Sequence, residues 1–444
     1  MSGPGYDEAL AWLFSRTRGG GRRTPTRAAR LLERLELTPP ALTVGVVGTN
    51  GKGSVTNMIA TGLAAAGHRT GRFLSPHVES FRERVAVSGE PVSEAAVEAF
   101  VAQVRALPPA DAGDPELGPA FFEWTLALAL SEFRRQAADA AVLEAGVGGG
   151  SDATRAVEPL SLVVITNVDR DHTETLGHDL GDIARDKVGA MRPGVPVVSG
   201  VTQPELRAIV AAEAERLAAP LFQDDPAGAE AIFALPPSVA AALGSAPTTR
   251  ASNARLAAAA LRLLGADEDA VEAGLRAPPL PARGERFLLP APGGAEVEVL
   301  LDGAHDPVAA RRLVGEVGAR PYVLLFGALA RKQGAAVLNE LAPGASAVLL
   351  TEASPGEGTV PWQPGATFVP DPAAALTAAL ALAAEPAPDA GAAGAGAADA
   401  GVARPLVLVA GSLYLAGHVR PLLRERGVRL PAPWEQGAGA GPNG

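Results

Sequence analysis

Short apolar runs alternate with longer, helix-compatible segments along most of the chain. A first series has predicted strands at 42–47, 140–143, 161–166 and 195–199, with predicted helices at 55–66, 121–136, 182–191 and 204–218. This alternation is typical of a mostly parallel sheet with helices on both faces. The pattern therefore predicts an α/β fold, preceded by two short helices within residues 6–37.

A second alternating series predicts a second, smaller Rossmann-like α/β domain. Its predicted strands are 297–302, 322–326, 347–351 and 406–410. A Pro/Ala-rich stretch, 277–292, lies between the two series and favours a linker with a hinge. We predict one domain over 1–285 and another over 286–444, with a low-complexity, mobile insertion near 386–405.

Composition narrows the class of protein. The chain has 444 residues, which is long for one domain, and 47% of them are hydrophobic, which is enough for real cores. It has no cysteine, which excludes disulfides, cysteine nucleophiles and thiolate metal sites. The net charge of -11 argues against nucleic-acid and anionic-membrane partners. No spanning run or signal pattern is visible, so we expect a cytoplasmic protein.

A glycine-rich turn follows the first predicted strand and precedes a predicted helix. It reads G48-T-N-G-K-G-S54, and Gly53 separates Lys52 from Ser54, so the ordinary Walker A spacing is broken. Strand, glycine loop and helix start form a phosphate cradle, to which Lys52 adds a positive charge. The alternative is a glycine-rich turn that binds no ligand.

Other polar residues lie at or just after predicted strand ends, where ligands bind in open α/β sheets. Glu144 ends one buried strand, and Asp169, Asp171 and His172 follow another. A buried carboxylate needs a partner, and oxygen ligands with an imidazole suit Mg²⁺ or its hydration shell. An ion-paired glutamate and a charged loop are the alternatives.

Several weaker signals accompany these residues. Ser75 and His77 follow a short strand in a Ser-Pro turn, and Lys187 lies near the start of the predicted helix 182–191. In the second series, Asp302 and His305 follow a strand in the same manner. Taken one at a time, these are ordinary turns and a solvent-exposed lysine.

Together the motifs resemble those of the Mur ligase superfamily and, within it, of folylpolyglutamate synthase and dihydrofolate synthase. The resemblance spans nearly the whole chain in order and approximate spacing. It rests on A9-L-A-W-L-F14, L31-L-E-R-L35, G48-T-N-G-K-G-S54, S75-P-H77, L143-E-A-G-V-G-G149, D152-A-T154, D171-H-T-E174, L176-G177, R185-D-K-V-G189, D302-G-A-H305, F326-G-A-L329 and G411-S-L-Y-L-A-G417.

The resemblance implies roles for individual residues. The ATP phosphates would be held by Gly48, Thr49, Asn50, Gly51, Lys52, Gly53 and Ser54, and the remaining nucleotide contacts would be Asn253, Arg286, Asp302 and His305. One Mg²⁺ would be bound by Ser54, Ser75 and Glu144, and a second by Glu144, His172 and a carbamylated Lys187. Lys52, Glu144, His172 and Lys187 would form the catalytic set, and a monovalent cation is also compatible with the family.

Four positions depart from the family pattern. Gly150 and Ser151 replace the usual arginine and leucine, Arg155 replaces an asparagine after D-A-T, and Asp306 replaces an asparagine after D-G-A-H. A carboxylate at 306 would repel phosphate unless it is paired or points away. We expect these changes to affect substrate selection and turnover more than the fold.

The implied activity is that of an ATP-dependent amide ligase that joins L-glutamate to dihydropteroate, to a folyl-glutamate or to both, and we expect a monomer. Two domains closing over an acyl phosphate would keep water out. The alternatives are another Mur-type ligase with a non-folate acceptor, and a P-loop kinase, GTPase or binding module. Only 47 residues precede Gly48, which argues against a preceding UDP-binding domain, and the chain has no N-K-x-D guanine motif.

Overall fold

The computed structural model describes residues 4–16, 24–107, 119–170, 177, 179–225, 231–244, 248–329, 333–354, 363–385 and 404–435. The chain divides into two compact units after Ala277. The predicted boundary at 285 falls later, inside a strand of the second unit, and is corrected to this point.

The first unit contains an eight-stranded sheet in the order β4-β3-β2-β5-β1-β6-β7-β8. Strands β2 and β5 to β8 run parallel to β1 through the sheet, whereas β3 and β4 form an antiparallel edge. The strands are β1 Leu42–Val47, β2 Thr70–Phe73, β3 Val85–Val87, β4 Glu90–Pro91, β5 Ala140–Glu144, β6 Leu162–Ile165, β7 Val197–Ser199 and β8 Leu221–Gln223.

Helices cover both faces of this sheet and enclose separate apolar cores. Strands β5 and β6 are buried at every position, as the continuous apolar runs predict. The helices are α1 Pro4–Phe14, α2 Thr26–Arg34, α3 Lys52–Ala65, α4 Glu94–Arg105, α5 Phe121–Arg135, α6 Leu180–Val188, α7 Pro204–Arg216, α8 Pro237–Leu243, α9 Thr249–Leu263 and α10 Glu268–Leu275.

The second unit contains a seven-stranded sheet in the order β13-β12-β11-β14-β10-β9-β15. Its strands are β9 Arg283–Pro290, β10 Glu296–Asp302, β11 Tyr322–Phe326, β12 Ala345–Leu350, β13 Thr367–Phe368, β14 Leu406–Ala410 and β15 Val428–Leu430. Its helices are α11 Pro307–Val317, α12 Gly334–Leu341, α13 Pro372–Ala384 and α14 Leu413–Arg426. β9 is antiparallel to both β10 and β15.

The structure confirms the α/β class and the mostly parallel sheets, and it corrects two local predictions. The stretch 277–292 is not simply a linker, because β9 occupies Arg283–Pro290. Lys187 lies in the last turn of α6, not near its start. Residues 386–403 of the predicted insertion, and the glycines 19–21, fall outside the described residues. In the described part of the chain, no helix combines the length and apolarity needed to cross a membrane.

Strand register brings the predicted site of the first unit together. β1 lies between β5 and β6, with Val46 opposite Glu144 and Val47 opposite Ile165. The glycine-rich turn after β1 therefore begins at the same sheet edge as Glu144 and the loop after β6.

Candidate active site

The predicted phosphate cradle has the expected geometry. β1 ends at Val47, α3 begins at Lys52, and Gly51 precedes the helix with φ 83° and ψ -10°. No side chain caps α3. The first amides of an α-helix have no partner within the helix, so those of Lys52, Gly53 and Ser54 are available to an anion.

Two residues of the loop after β6 hold the cradle in place, and the sequence analysis did not single them out. The Asn167 side-chain oxygen accepts the amides of Thr49 at 3.2 Å and Asn50 at 2.9 Å. The Thr166 hydroxyl donates to the Asn50 carbonyl at 2.7 Å. Their only signal in the sequence is a Thr-Asn pair directly after an apolar strand.

Asn253 lies against the cradle, as its predicted nucleotide role requires. It is buried in α9, and a Cβ placed on Gly51 would lie 2.3 Å from its side-chain oxygen. Glycine at 51 is thus required both by its left-handed backbone and by the close approach of Asn253.

Lys52 and Lys187 both contact the start of the cradle. Lys52 Nζ donates to the carbonyl oxygens of Gly48 at 3.1 Å and Thr49 at 2.9 Å. Lys187 is 3% exposed, and its Nζ donates to the Gly48 carbonyl at 2.8 Å. A lysine that would ordinarily be solvated is therefore buried against the phosphate loop.

Glu144 and Ser75 form the core of the predicted metal site. Glu144 is 6% exposed, as the buried strand end predicts, and its Oε2 accepts the Ser75 amide at 3.0 Å. Ser54 lies in the first turn of α3, the helix that follows β1, and β1 is hydrogen-bonded to β5. Carboxylate and hydroxyl oxygens are ligands that suit Mg²⁺, so these residues fit the predicted ion.

His172 and Asp171 lie outside the described residues. Within the described ranges, no group of three or more histidines and carboxylates is arranged to hold a metal ion. The second metal site therefore stays a prediction, and of its three predicted ligands the structure locates only Glu144 and Lys187.

Asp186 fastens the glycine-rich loop after β5 to α6. Its carboxylate accepts the amides of Gly149 at 2.9 Å and Ser151 at 3.2 Å, and its carbonyl accepts the amide of Gly150 at 2.6 Å. A Cβ on Gly150 would lie 3.1 Å from the Cα of Gly189. This contact leaves little room for the arginine that the family usually has at 150.

The other departure in this loop has local partners. The Arg155 guanidinium donates to Glu158 at 2.8 Å, and its carbonyl accepts from the buried Arg192. Burial, with Arg155 nearby, lowers the pKa of Arg192 to about 10, although Glu158 opposes the shift. The structure gives no reason to assign Arg155 a contact with substrate.

The turn that follows β2 is fixed by Glu83 and by an arginine. Glu83 accepts the amides of Val78, Glu79 and Ser80 at 2.8 to 2.9 Å. Arg84 Nε donates to His77 Nδ1 at 2.7 Å. Burial and the Arg84 charge lower the pKa of His77 to about 4, so its ring is neutral at neutral pH.

In the second unit, Asp302 and His305 share the turn after β10. The Asp302 carboxylate accepts the Ala304 amide at 2.8 Å, and His305 Nδ1 lies 2.9 Å from the Gly303 carbonyl. Burial raises the pKa of Asp302, while the nearby Arg283 opposes the shift. Asp306 caps α11 by accepting the amides of Val308 at 3.0 Å and Ala309 at 2.9 Å, and its negative charge contributes to the raised pKa of Asp302.

Arg286 differs from its predicted setting. It forms an ion pair with the buried Glu298, whose other oxygen accepts from Arg320 at 2.7 Å. Burial alone would raise the pKa of Glu298, but Arg320 and Arg286 together hold it below its ordinary value. Arg283 is exposed and lies opposite Asp302 in the strand register, whereas Arg286 lies opposite Leu300.

Comparisons with known proteins agree with this geometry, although no protein-family model matches the chain. A probable bifunctional folylpolyglutamate synthase/dihydropteroate synthase of Halobacterium salinarum is 34% identical over 438 residues, covering 94% of this chain and 51% of the relative. The dihydrofolate synthase/folylpolyglutamate synthase of Bacillus subtilis is 38% identical over 48% of this chain and 50% of the relative. The chain thus spans about half the length of these two relatives. The dihydrofolate synthase/folylpolyglutamate synthase of Mycobacterium tuberculosis is 32% identical over 69% of both chains.

Solved structures show the same architecture. Escherichia coli FolC in complex with DHPP and ADP matches with a TM-score of 0.75 and 27% identity, covering 95% of this chain and 98% of that chain. A bifunctional folylpolyglutamate synthase/dihydrofolate synthase of Yersinia pestis, complexed with AMPPNP and Mn, matches with a TM-score of 0.74 and 27% identity over 96% and 100%.

Proposed function

Because this chain belongs to the folylpolyglutamate synthase and dihydrofolate synthase family, we propose that it is an ATP-dependent ligase that joins L-glutamate to dihydropteroate, to a folyl-glutamate or to both. The observation that carries the proposal is the cradle after β1, with Glu144 at the same sheet edge and Lys187 buried against Gly48. The relatives solved with ADP, and with AMPPNP and Mn, support ATP and a divalent ion as the cofactors.

The chemistry begins with a carboxylate, which is a poor acyl donor until its oxygen becomes part of a leaving group. Transfer of the γ-phosphoryl group of ATP to that oxygen gives an acyl phosphate and ADP. The glutamate amine then attacks the acyl carbon, phosphate leaves, and an amide remains. The protein must therefore hold the phosphates, offset their charge and keep the acyl phosphate from water.

The described residues divide these tasks. The first-turn amides of α3 and the Lys52 ammonium bind the phosphates. Ser54, Ser75 and Glu144 would hold Mg²⁺, which neutralises the charge on the phosphoryl oxygens when bound. Asn167 and Thr166 fix the loop backbone so that its amides need not reorganise during the reaction.

Lys187 is proposed to be carbamylated, as the family resemblance implies. The carbamate would keep one N–H, which can still donate to the Gly48 carbonyl, while it gains oxygen ligands for a second metal ion. Intact-protein mass spectrometry under native conditions should show the added mass of one CO₂. A mass without it, together with full activity at low bicarbonate, would contradict this assignment. The monomeric state, the monovalent cation and the cytoplasmic location stay predictions.

Phosphate release from MgATP tests the activity. The purified protein is supplied with L-glutamate and either dihydropteroate or a tetrahydrofolate, and each component is omitted in turn. We expect release only when all components are present, with a glutamyl product identified by mass spectrometry. The acceptor used distinguishes one activity from two. If neither pterin supports phosphate release, the result would instead favour a Mur-type ligase with a non-folate acceptor.

A further inference from the structure

Strand β9 contains a bulge opposite the end of β10, where the predicted nucleotide residue Asp302 lies. Its antiparallel register with β10 shifts between Leu301 and Asp302, so that Leu301 pairs with Glu285 and Asp302 pairs with Arg283. Gly284 is left without an opposite residue and has φ +73°. Glycine bulges of this kind redirect neighbouring side chains and occur often beside active sites.

A buried ion pair holds the strand on the far side of this bulge. Glu285 is 1% exposed, and its two carboxylate oxygens accept hydrogen bonds from Arg420, one from Nε at 2.7 Å and one from Nη2 at 2.8 Å. Arg420 comes from α14, so the pair joins that helix to β9. Two parallel N–H···O bonds fix direction as well as distance.

The same carboxylate holds the residue that precedes Arg283. Glu285 Oε2 accepts the Ala282 amide at 2.8 Å, and the Ala282 carbonyl accepts the Gly303 amide at 2.8 Å. Both polar backbone groups of Ala282 are therefore fixed, one to the ion pair and one to the turn that contains Asp302 and His305. The backbone on either side of the bulge has little freedom to move.

Arg283 itself has a different environment from three other arginines of the second unit. Arg286, Arg320 and Arg420 each bind a buried glutamate, whereas Arg283 is exposed beside the half-buried Asp302 at the end of β10. An exposed guanidinium at the carboxyl edge of a parallel region is well placed to bind phosphate.

We propose that the Glu285–Arg420 ion pair is a positioning device, which holds Arg283 across the Gly284 bulge in the orientation that binds the nucleotide beside Asp302. The proposal rests on the ATP-dependent function given above. It assigns Arg420 a role in nucleotide binding that acts entirely through Arg283.

A double-mutant cycle tests this dependence. R420K keeps the charge of Arg420 but cannot form two parallel hydrogen bonds with Glu285. We expect R420K and R283A each to raise KM for ATP by about tenfold, with a smaller effect on KM for glutamate. In the R283A background, R420K should then change KM for ATP by no more than about twofold, because the positioned side chain is gone.

The control is R320K. Arg320 also forms a partly buried ion pair, with Glu298 of β10, and its other hydrogen bond goes to the Arg404 carbonyl. R320K should leave KM for ATP within about twofold of the wild type. Equal effects of R420K with and without Arg283, an R283A variant with unchanged KM, or an R320K effect as large as that of R420K would overturn the proposal.

Two further measurements keep the outcome clear. If R420K fails to fold, G284A takes its place in the cycle, because alanine at φ +73° strains the bulge while the ion pair remains. The cycle is repeated on ADP affinity by calorimetry, which requires no ligation. A wild type that binds ADP but forms no glutamyl product would contradict the proposed function. Additive losses of ADP affinity in the R283A and R420K variants would contradict the positioning proposal alone.

Discussion

Lys187 and Asp306 show that the surroundings of a charged residue decide what it can do. Sequence reasoning treats Lys187 in isolation as a solvated side chain, but α6 buries it against Gly48. A carboxylate at 306 is expected to repel phosphate unless it is paired or points away, and the structure shows that its oxygen caps the first turn of α11. In both cases the residue type was visible in the sequence, and the tertiary neighbour was not.

His77 gives a pH prediction at this scale. Its pKa of about 4 in the folded protein lies below the ordinary value, so the unfolded chain binds the proton more readily between pH 6.5 and 4. The stability from the neutral ring is fully present above pH 6.5 and is lost as the pH falls through this window. From pH 7 to pH 5, we expect wild type to lose about 1 to 2 kcal/mol more unfolding free energy than H77N.

Urea unfolding at both pH values, followed by circular dichroism, measures this difference. H68N is the matched control, because His68 is a partly exposed histidine of the same unit that faces Asp139 at 3.4 Å. Equal losses of unfolding free energy in wild type and H77N would contradict a neutral, buried His77.

At the scale of elements, prediction succeeded where burial on both faces leaves a continuous apolar run. β1, β11 and β14 have the predicted bounds, β5 differs by one residue at one end, and β6 differs by one residue at each end. The sequence analysis missed β9 because this strand contains two arginines, a glycine and a terminal proline, which in sequence are typical of a loop. Its ladder depends on β10 and on the Glu285–Arg420 pair, which are contacts that local sequence does not encode.

The position of Arg283 has the same origin. The motif resemblance implied Arg286, which lies opposite Leu300, and the bulge at Gly284 places Arg283 instead of Gly284 opposite Asp302. Likewise, Asn167 and Thr166 carry no motif of their own, and only the parallel register of β1 with β6 brings them to the cradle.

Asp186, in the last turn of α6, gives a prediction about how strongly this helix stabilises the loop after β5. Asp186 accepts two amides of the loop after β5, whereas Asp182, on the same helix, is exposed and pairs with Arg185. D186A leaves those amides without acceptors and should lower the unfolding free energy by about 2 kcal/mol. D182A should change it by no more than about 0.5 kcal/mol.

D186A should also raise the Mg²⁺ concentration needed for half-maximal phosphate release, since the released loop follows Glu144 directly. D186N is informative beside it, because an asparagine amide retains one acceptor oxygen and should give an intermediate loss. A D186A protein as stable as D182A would show that the loop is held by other contacts.

At the scale of the whole molecule, each unit has its own sheet and its own apolar core. The clusters around α3, α5 and α6 are built from residues of the first unit, and the cluster around β10, β11 and β14 is built from residues of the second. The predicted nucleotide residues are divided in the same way, with the cradle and Asn253 in one unit and Asp302 and His305 in the other.

This division predicts that residues 1–277 and 278–444 fold when they are expressed as separate chains. Residues 278–444 lie within the usual size range of domains, residues 1–277 lie slightly above its upper end, and each sheet has its own helices to cover its apolar faces. Each fragment should show cooperative urea unfolding and the helical circular dichroism expected from its elements. Neither should release phosphate from MgATP with glutamate and a pterin, because each carries only part of the predicted nucleotide residues.

A matched pair of fragments divided after residue 285 should be less stable in urea, since that cut falls inside β9 and separates Glu285 from Arg420. Equal stability of the two pairs would show that β9 does not belong to the cooperative core of the second unit.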